Sequence, residues 1–454
     1  MRRCTLDRLE DSLGPFLAGL TALAPAAASA RERPYSVRHT WWCALWQMLQ
    51  GNATCRQVVS QLQALLVLAD HPPVADNTSG FCQARHRLPD ALLVAALHTS
   101  ARAADQRVRP DCALQGRVVK VLDGTTLTLP DSPANRAAYP QPTSQRPGVG
   151  FPLLHLLVVW SARGGAVLNH VSGDCHHGEM RLLHQALTAL APKDIVIYDR
   201  AAGHYVGCAL LRAQQADLIS RVTVRKVDWR RGQRLGPGDR LVTWFKSRQK
   251  SPYLSPAEWA ALPDQIVVRV VRARMVQPGF RTRTLALVTT LLDPAGYPAA
   301  AIAAAYQRRW RIELCLDDLK TVLGLDALRC QSPKMIQREL LLLLTAHNLV
   351  RAVMAEAARD HAVPIDRLSF AGSLHALRSF AAASAQTSHS TLRRRLWAAL
   401  LRRLAADRVP SRPDRCEPRV VKRRPKPYRW LDRPRHLFRD FRHGARFRPP
   451  AKIT

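Results

Sequence analysis

The chain has 454 residues, 47% of them apolar, enough for roughly two to three domains with a sizeable core. It carries 68 Lys and Arg against 34 Asp and Glu, a formal charge of +34. That charge argues against an ordinary metabolic enzyme and calls for a polyanionic partner, nucleic acid or acidic membrane. Arg outnumbers Lys by 58 to 10. Its planar fork bonds phosphates and guanine edges in pairs, which suits nucleic acid.

Residues 1–30 are Ala-rich and lead into a linker, ALAPAAASARERP. From Ser36 to about Ala104, apolar residues recur at helical spacing in TWWCALWQMLQ and CRQVVSQLQALLVLA, with Asn52 and Thr54 as candidate caps between them. Arg85, Arg87, Arg102, Arg107 and Arg109 give this module an expected basic side. The character changes at about Leu114. GRVVKVLDGTTLTLP reads as a strand, Pro130 to Pro152 as a proline-rich loop, and LLHLLVVWS and GAVLNHVSG as strands joined by a turn at Arg163-Gly164-Gly165. HHGEMRLLHQALTALAP reads as a helix, KDIVIYD as a buried strand, AGHYVGCALLRAQQA as a helix and DLISRVTVR as a strand. The order β-β-β-α-β-α-β is that of an RNase H-like domain. Residues 222–295 are basic and β-rich, helices return from Tyr297 to about Leu404, and residues 411–454 hold 15 Lys and Arg against 4 acids. That tail is expected to be extended.

No stretch reaches the roughly 18 to 20 apolar residues of a membrane span. The start carries Asp7, Glu10 and Asp11, which a signal peptide avoids. The ten cysteines form no C-x-x-C pair, which fits reduced thiols in a cytoplasmic protein.

Three acids stand out. Asp123 is expected to end the apolar strand VVKVL and Asp199 the strand IVIY, while Glu313 falls in the helix YQRRWRIELCLDDLK. An acid at the end of a buried strand is costly unless it is paired or binds a cation. In so basic a chain the three are a candidate metal site, and phosphodiester chemistry uses two divalent ions held by carboxylates. Tyr306, Arg309, Glu313 and Lys320 stand at i, i+3, i+7 and i+14. On one continuous helix they fall within a stripe of about 60°. A surface ion-pair stripe is the plainer reading of that spacing.

The pattern Y-x-x-R-x-x-x-E-x-x-x-x-x-x-K, carried by Tyr306, Arg309, Glu313 and Lys320, resembles the signature of the bacterial insertion-sequence-four family of DDE transposases. DGTTLTLPDSPANRAAYPQP around Asp123, QRPGVGFP at 145–152, QARHRLP at 83–89 and PRVVKRRPKPY at 418–428 are similar to other family segments, so the resemblance runs from about 36 to 430. It implies an α/β protein with an RNase H-like catalytic core and a β-rich insertion, flanked by an N-terminal helical DNA-binding domain and C-terminal helices. The expected boundaries are 1–110 for the N-terminal region, 114–221 and 296–335 for the two parts of the core, 222–295 for the insertion, 336–410 for the C-terminal helices and 411–454 for the basic tail.

The resemblance also implies a catalytic triad of Asp123, Asp199 and Glu313 binding two Mg²⁺, with Mn²⁺ able to substitute. Tyr306, Arg309 and Lys320 would handle phosphates and a flipped base near the cleaved end, with Arg200 and Arg221 as further DNA contacts. Among Trp229, Trp244 and Trp259, Trp244 is a candidate base-stacking residue. The implied activity is cut-and-paste transposition by a homodimer acting on double-stranded DNA, both terminal inverted repeats and target, in the bacterial cytoplasm at the nucleoid and away from membrane. One departure from the family pattern stands beside the second acid, where Arg200-Ala201-Ala202-Gly203 replaces Arg-Gly-Phe. It motivates an alternative, an inactivated copy that binds DNA without cutting it. An RNase H-like nuclease without strand transfer is a third possibility.

Overall fold

The structure, a computed structural model, describes residues 5–20, 35–68, 70–108, 114–223, 227–274, 284–410 and 431–437. The linker, Arg109 and most of the 411–454 tail, PRVVKRRPKPY included, lie outside the described residues.

Five helices come first: α1 (Thr5–Leu13), α2 (Val37–Leu49), α3 (Cys55–Leu68), α4 (Ser79–Arg87) and α5 (Asp90–Gln106). Ser36 caps α2 by accepting the His39 N–H. Thr54 caps α3 reciprocally: its hydroxyl accepts from the Gln57 N–H, and the Gln57 side chain accepts from the Thr54 N–H. Asn52 is not a cap. It adopts φ 55° and donates its amide to Glu339 Oε1 at 2.6 Å, tying the α2–α3 turn to a distant helix. The expected basic side of this module is also broken up. Arg85 is buried, its guanidinium 3.4 Å from the sulfurs of Cys55 and Cys330. Arg107 donates to the Ala103 carbonyl and stacks over Phe16. Arg87 and Arg102 remain exposed.

Next come β1 (Val119–Thr128), α6 (Pro133–Ala138), β2 (Leu153–Ser161), β3 (Val167–Gly173), α7 (Glu179–Ala186), β4 (Ile195–Tyr198), α8 (Tyr205–Ala213) and β5 (Asp217–Val222). Helix α6 lies inside the stretch read from sequence as a proline-rich loop. Ser132 caps it, and Pro133 at its first position loses no hydrogen bond there. The chain continues through β6 (Gln233–Gly236), β7 (Asp239–Phe245), α9 (Pro256–Ala261), β8 (Gln265–Arg274) and β9 (Thr284–Thr289). It ends in α10 (Ala299–Gln307), α11 (Arg309–Asp317), α12 (Pro333–Asp360), α13 (Phe370–Ala385) and α14 (Ser390–Ala406).

The nine strands form one mixed sheet in the order β3-β2-β1-β4-β5-β9-β8-β7-β6. The first three are antiparallel, and β4 and β5 run parallel to β1. The β-rich segment is therefore not a separate sheet. β9 pairs antiparallel with β5 and carries β8, β7 and β6 outward from it. Successive residues face opposite sides, so each buried strand feeds two cores. Val121, Ile195, Ile197 and Ile219 face the N- and C-terminal helices. Leu122, Val196, Tyr198 and Leu218 face α7 and α8. The N-terminal and C-terminal helices share one core on their side of the sheet. Helix α12 is its axis. It is apolar and long enough to cross a membrane, but 89% of its most apolar window is buried inside the protein. It packs on α5, α14, α2 and α13, which together bury most of its length.

Candidate active site

The sheet brings Asp123 and Asp199 together. In the parallel pairing of β1 with β4, Val121 is opposite Ile197. Asp123 stands two residues beyond Val121 and Asp199 two beyond Ile197, so continuation of that register sets the two acids side by side on one face. Asp123 does not end its strand, as the sequence had suggested. β1 continues to Thr128 because β2 still pairs with it, and Asp123 lies opposite Val158. β4 stops at Tyr198, leaving β1 with a single neighbour where the acids sit.

Asp199 opens a tight turn. Its Oδ1 accepts from the Ala201 N–H at 2.7 Å, and the Ser220 hydroxyl donates to its carbonyl. The turn Arg200–Ala202 closes as a 3₁₀ helix with Ala202 fully buried. The Ala201-Ala202 departure therefore leaves a regular strand-to-helix turn. A Cβ on Gly203 would stand 2.1 Å from the Arg221 carbonyl oxygen, so that residue must be glycine for reasons of space.

Glu313 arrives on α11, which packs across β1. The four signature residues do not share one continuous helix. The helix breaks at Arg308, so Tyr306 belongs to α10 and Arg309 and Glu313 to α11, and residues 318–322, with Lys320, form a π turn. The cause is tertiary: α10 rests on β5 and β8 whereas α11 rests on β1. The wider π turn also rotates Lys320 off the stripe that regular α geometry predicts. Lys320 stands 3.9 Å from Asp326.

Arg309 links the acids. Its Nη1 lies 3.4 Å from Asp123 Oδ1, and its Nη2 donates to Glu313 Oε1. Asp123 and Arg309 are 17% and 21% exposed and Glu313 is 51% exposed, so the strand acid is the sheltered end of this bridge. Burial pushes the Asp123 carboxyl up to about 6. Arg309 opposes that shift, and the carboxylates of Glu313 and Asp199 add to it. Burial likewise raises the Tyr306 phenol, against the pull of Arg309 and Arg221. Arg221 is exposed on β5, and Arg200 is exposed on the turn after Asp199.

Trp244 is not brought to this cluster. It lies on β7, four strand steps from β4 or roughly 19 Å across the sheet, and packs half-buried against the core on the α7–α8 side. Trp229 and Trp259 pack against the same core, beneath Arg272 and Lys246 respectively. Glu179, at the start of α7, is an acidic neighbour that the sequence offers only in a Cys175, His176, His177 and Glu179 grouping whose spacing fits no standard metal site, and not as a partner of Asp199. Burial and the Asp199 carboxylate both raise its carboxyl. The signal for it is faint: a Gly178-Glu179 helix start, visible only once α7 is known to abut the Asp199 turn.

Carboxylate oxygens are the hard donors that Mg²⁺ and Mn²⁺ take, so the donor set suits such ions. Among the described residues, no three His, Cys, Asp or Glu side chains yet stand close enough to hold one, and Arg309 occupies the space between two of the acids.

The family profile described as "Transposase DDE domain" matches residues 114–349, over half of the chain and all of the segment that builds this cluster. This chain belongs to the DDE transposase family. Over 438 residues it is 25% identical to the "Transposase InsG for insertion sequence element IS4" of Escherichia coli (strain K12), with 94% of each chain covered. The transposase is thus an enzyme of the insertion-sequence-four kind, as its Tyr-Arg-Glu-Lys signature implied. A solved piggyBac transposase synaptic complex with hairpin DNA aligns with 88% of the transposase and 85% of its own chain. Its TM-score of 0.41 at 9% identity is too loose a likeness to carry an argument.

Proposed function

We propose that the transposase cuts double-stranded DNA at the terminal inverted repeats of its element and joins the freed ends to target DNA, with Asp123, Asp199 and Glu313 as the catalytic carboxylates. The observation that carries this reading is the clustering of three acids around Asp123, with Asp199 beside it across the β1–β4 pairing and Glu313 tied to it through Arg309, inside the segment that matches the family. The strand order β3-β2-β1-β4-β5, with β4 and β5 parallel to β1, supports an RNase H-like core. In the proposed reaction, water attacks the phosphorus at the element's boundary and the 3′-oxygen leaves as a hydroxyl. That 3′-hydroxyl then attacks a second phosphodiester and displaces another 3′-oxygen.

The three carboxylates would hold two Mg²⁺, or Mn²⁺ in their place. Bound there, such ions supply activation of the attacking oxygen and neutralisation of the leaving one. Arg309 forks onto a phosphate, Tyr306 donates its hydroxyl, and Lys320 contributes a point charge. Arg200 and Arg221, exposed on either side of the Asp199 turn, steer the backbone into register. We place the exposed Arg87 and Arg102 among the N-terminal contacts to the repeat and assign Trp244 to packing. A homodimer would hold two ends at once. α13 and α14, outside the buried α12, are its candidate faces. The protein would act where bacterial DNA is, at the nucleoid in the cytoplasm.

The test is a labelled duplex carrying the repeat and its flank, incubated with Mn²⁺ or with EDTA. Metal-dependent cleavage at the boundary, with joined products, is expected. Asp123→Asn and Glu313→Gln should lower cleavage by at least about a thousandfold while leaving repeat binding intact. Cleavage that survives either change overturns the assignment. Binding that persists in EDTA with no nicks under any metal identifies an inactive copy. Cutting without joining or repeat preference identifies a nuclease.

A further inference from the structure

We propose that Arg309 is a latch on the carboxylate cluster: in the DNA-free protein its guanidinium holds Asp123 and Glu313 together, and a DNA phosphate draws it away so that a divalent ion can enter. This rests on the reading of those carboxylates as metal ligands and goes beyond it, because it makes ion loading depend on DNA.

The geometry is that of competition for the same oxygens. Arg309 spends one terminal nitrogen on Asp123 Oδ1 and the other on Glu313 Oε1, groups carried by β1 and α11. The Glu313 contact is an i,i+4 pair within α11, but the Asp123 contact spans 186 residues and fastens that pair to β1, so the bridge is more than a surface pair on one helix. Asp123 and Arg309 are largely sheltered, and in such a site a charge-assisted bond is stronger than at an open surface. A guanidinium and a hard dication cannot occupy one pair of carboxylate oxygens together. The other groups facing Arg309 are Tyr306, whose hydroxyl shares a hydrogen bond with it, and Asp199 and Arg221 around the same phenol. Arg221 is a second cation at the cluster's edge, so a phosphate arriving there meets two positive partners. The fork that leaves the acids finds an equivalent bidentate acceptor in that phosphate. The carboxylates are then freed only when a scissile strand is present, which keeps the free protein from loading a reactive site.

Linkage requires reciprocity: if DNA tightens the binding of the ion, the ion tightens the binding of DNA by the same factor. The experiment measures Mn²⁺ binding by titration calorimetry or electron paramagnetic resonance. It compares wild type, Arg309→Gln and Arg309→Lys, each alone and with a duplex that ends at the already cleaved repeat boundary. Without DNA, Arg309→Gln should bind Mn²⁺ on the order of tenfold more tightly than wild type, the worth of one charge-assisted hydrogen bond. The duplex should raise wild-type affinity by a similar factor and raise that of Arg309→Gln little. Arg309→Lys, a point charge without the fork, should fall between them, and it carries the test if the Gln variant does not fold. Equal affinities in all three free proteins, or an equal gain from DNA in all three, overturn the latch while leaving the metal site standing. If the tight site of Arg309→Gln survives a second change, Asp123→Asn, the metal-site reading itself fails.

Discussion

Gly203 fixes where Asp199 points. Its φ of −74° is open to any residue, so its role is spatial: it lets the turn pass against the Arg221 carbonyl. Gly207 does the same one turn later, where a Cβ would stand 2.2 Å from the Ala202 carbonyl oxygen. Gly203→Ala should therefore destabilise the fold by about 3 kcal/mol, the upper range for forced overpacking, and displace the Asp199 carboxylate. Thermal unfolding reads the first effect and repeat cleavage the second. A variant with wild-type melting and cleavage would show that the turn has room to spare. The sequence flagged this turn through Ala201-Ala202, whereas the space around it depends on Gly203 and Gly207. A steric limit of that kind leaves no trace in residue type until the β5 carbonyl is placed beside it.

The basic segment 222–295 looks from its composition like a DNA-contact surface. Part of its charge instead holds the segment onto the core. Arg269 on β8 is fully buried, and its Nε and Nη2 meet both carboxylate oxygens of Asp239 on β7, the former at 2.8 Å. Its Nη1 donates to the Tyr297 carbonyl just before α10. One guanidinium thus ties two outer strands to the chain that enters α10, the helix before the one that carries Glu313. Asp239→Ala leaves that charge buried without its partner and should cost about 3–5 kcal/mol. Replacing both members with apolar side chains of similar volume should cost much less. Chemical denaturation of the single and double variants checks both expectations, and equal losses would show that packing rather than charge is at stake. Elsewhere the type of each element is legible from period and punctuation, as in IVIY or the capped start of α3. The break at Arg308 is not, because α10 and α11 obey different sheet strands.

The whole molecule is built around α12, which packs the helices of both chain ends against one face of the sheet. His347 lies at the centre of this core, stacked on Phe370 and edge-on to Trp160. Its Nε2 faces the Gly165 carbonyl at 3.0 Å. A carbonyl only accepts, so Nε2 carries the proton, and Nδ1 has no hydrogen-bond partner among the described residues. Burial, with Arg351 nearby, lowers its pKa from 6.5 to about 3, and burial lowers that of His170 to about 4. The folded state therefore refuses protons that the unfolded chain accepts below pH 6.5. Stability is full above that pH and falls by about 1.4 kcal/mol per pH unit for each such histidine as pH drops toward 4. Urea unfolding at pH 7.5, 6 and 5 should show this decline, and His347→Gln should roughly halve its slope, His170 supplying the rest; an unchanged slope would place the acid sensitivity elsewhere. At the same scale, the charge of +34 predicts that DNA affinity falls by orders of magnitude between low and moderate salt, measurable by a titration series.

The sequence by itself determined the polyanionic partner, through its charge, the family, through Tyr306, Arg309, Glu313 and Lys320 at fixed spacing, and most strands and helices, through their periods. These are local or compositional properties, and no folding is needed to read them. Only the tertiary structure decided that β6–β9 extend the core sheet and that Arg85 and Arg269 are buried rather than free for DNA. It also decided that Asp123 and Asp199 are neighbours and that Arg309 bridges two of the three acids. Each of these depends on which distant segment lies opposite, a choice made by burying apolar faces together. The charged residues carried along are left to find whatever partners that packing provides.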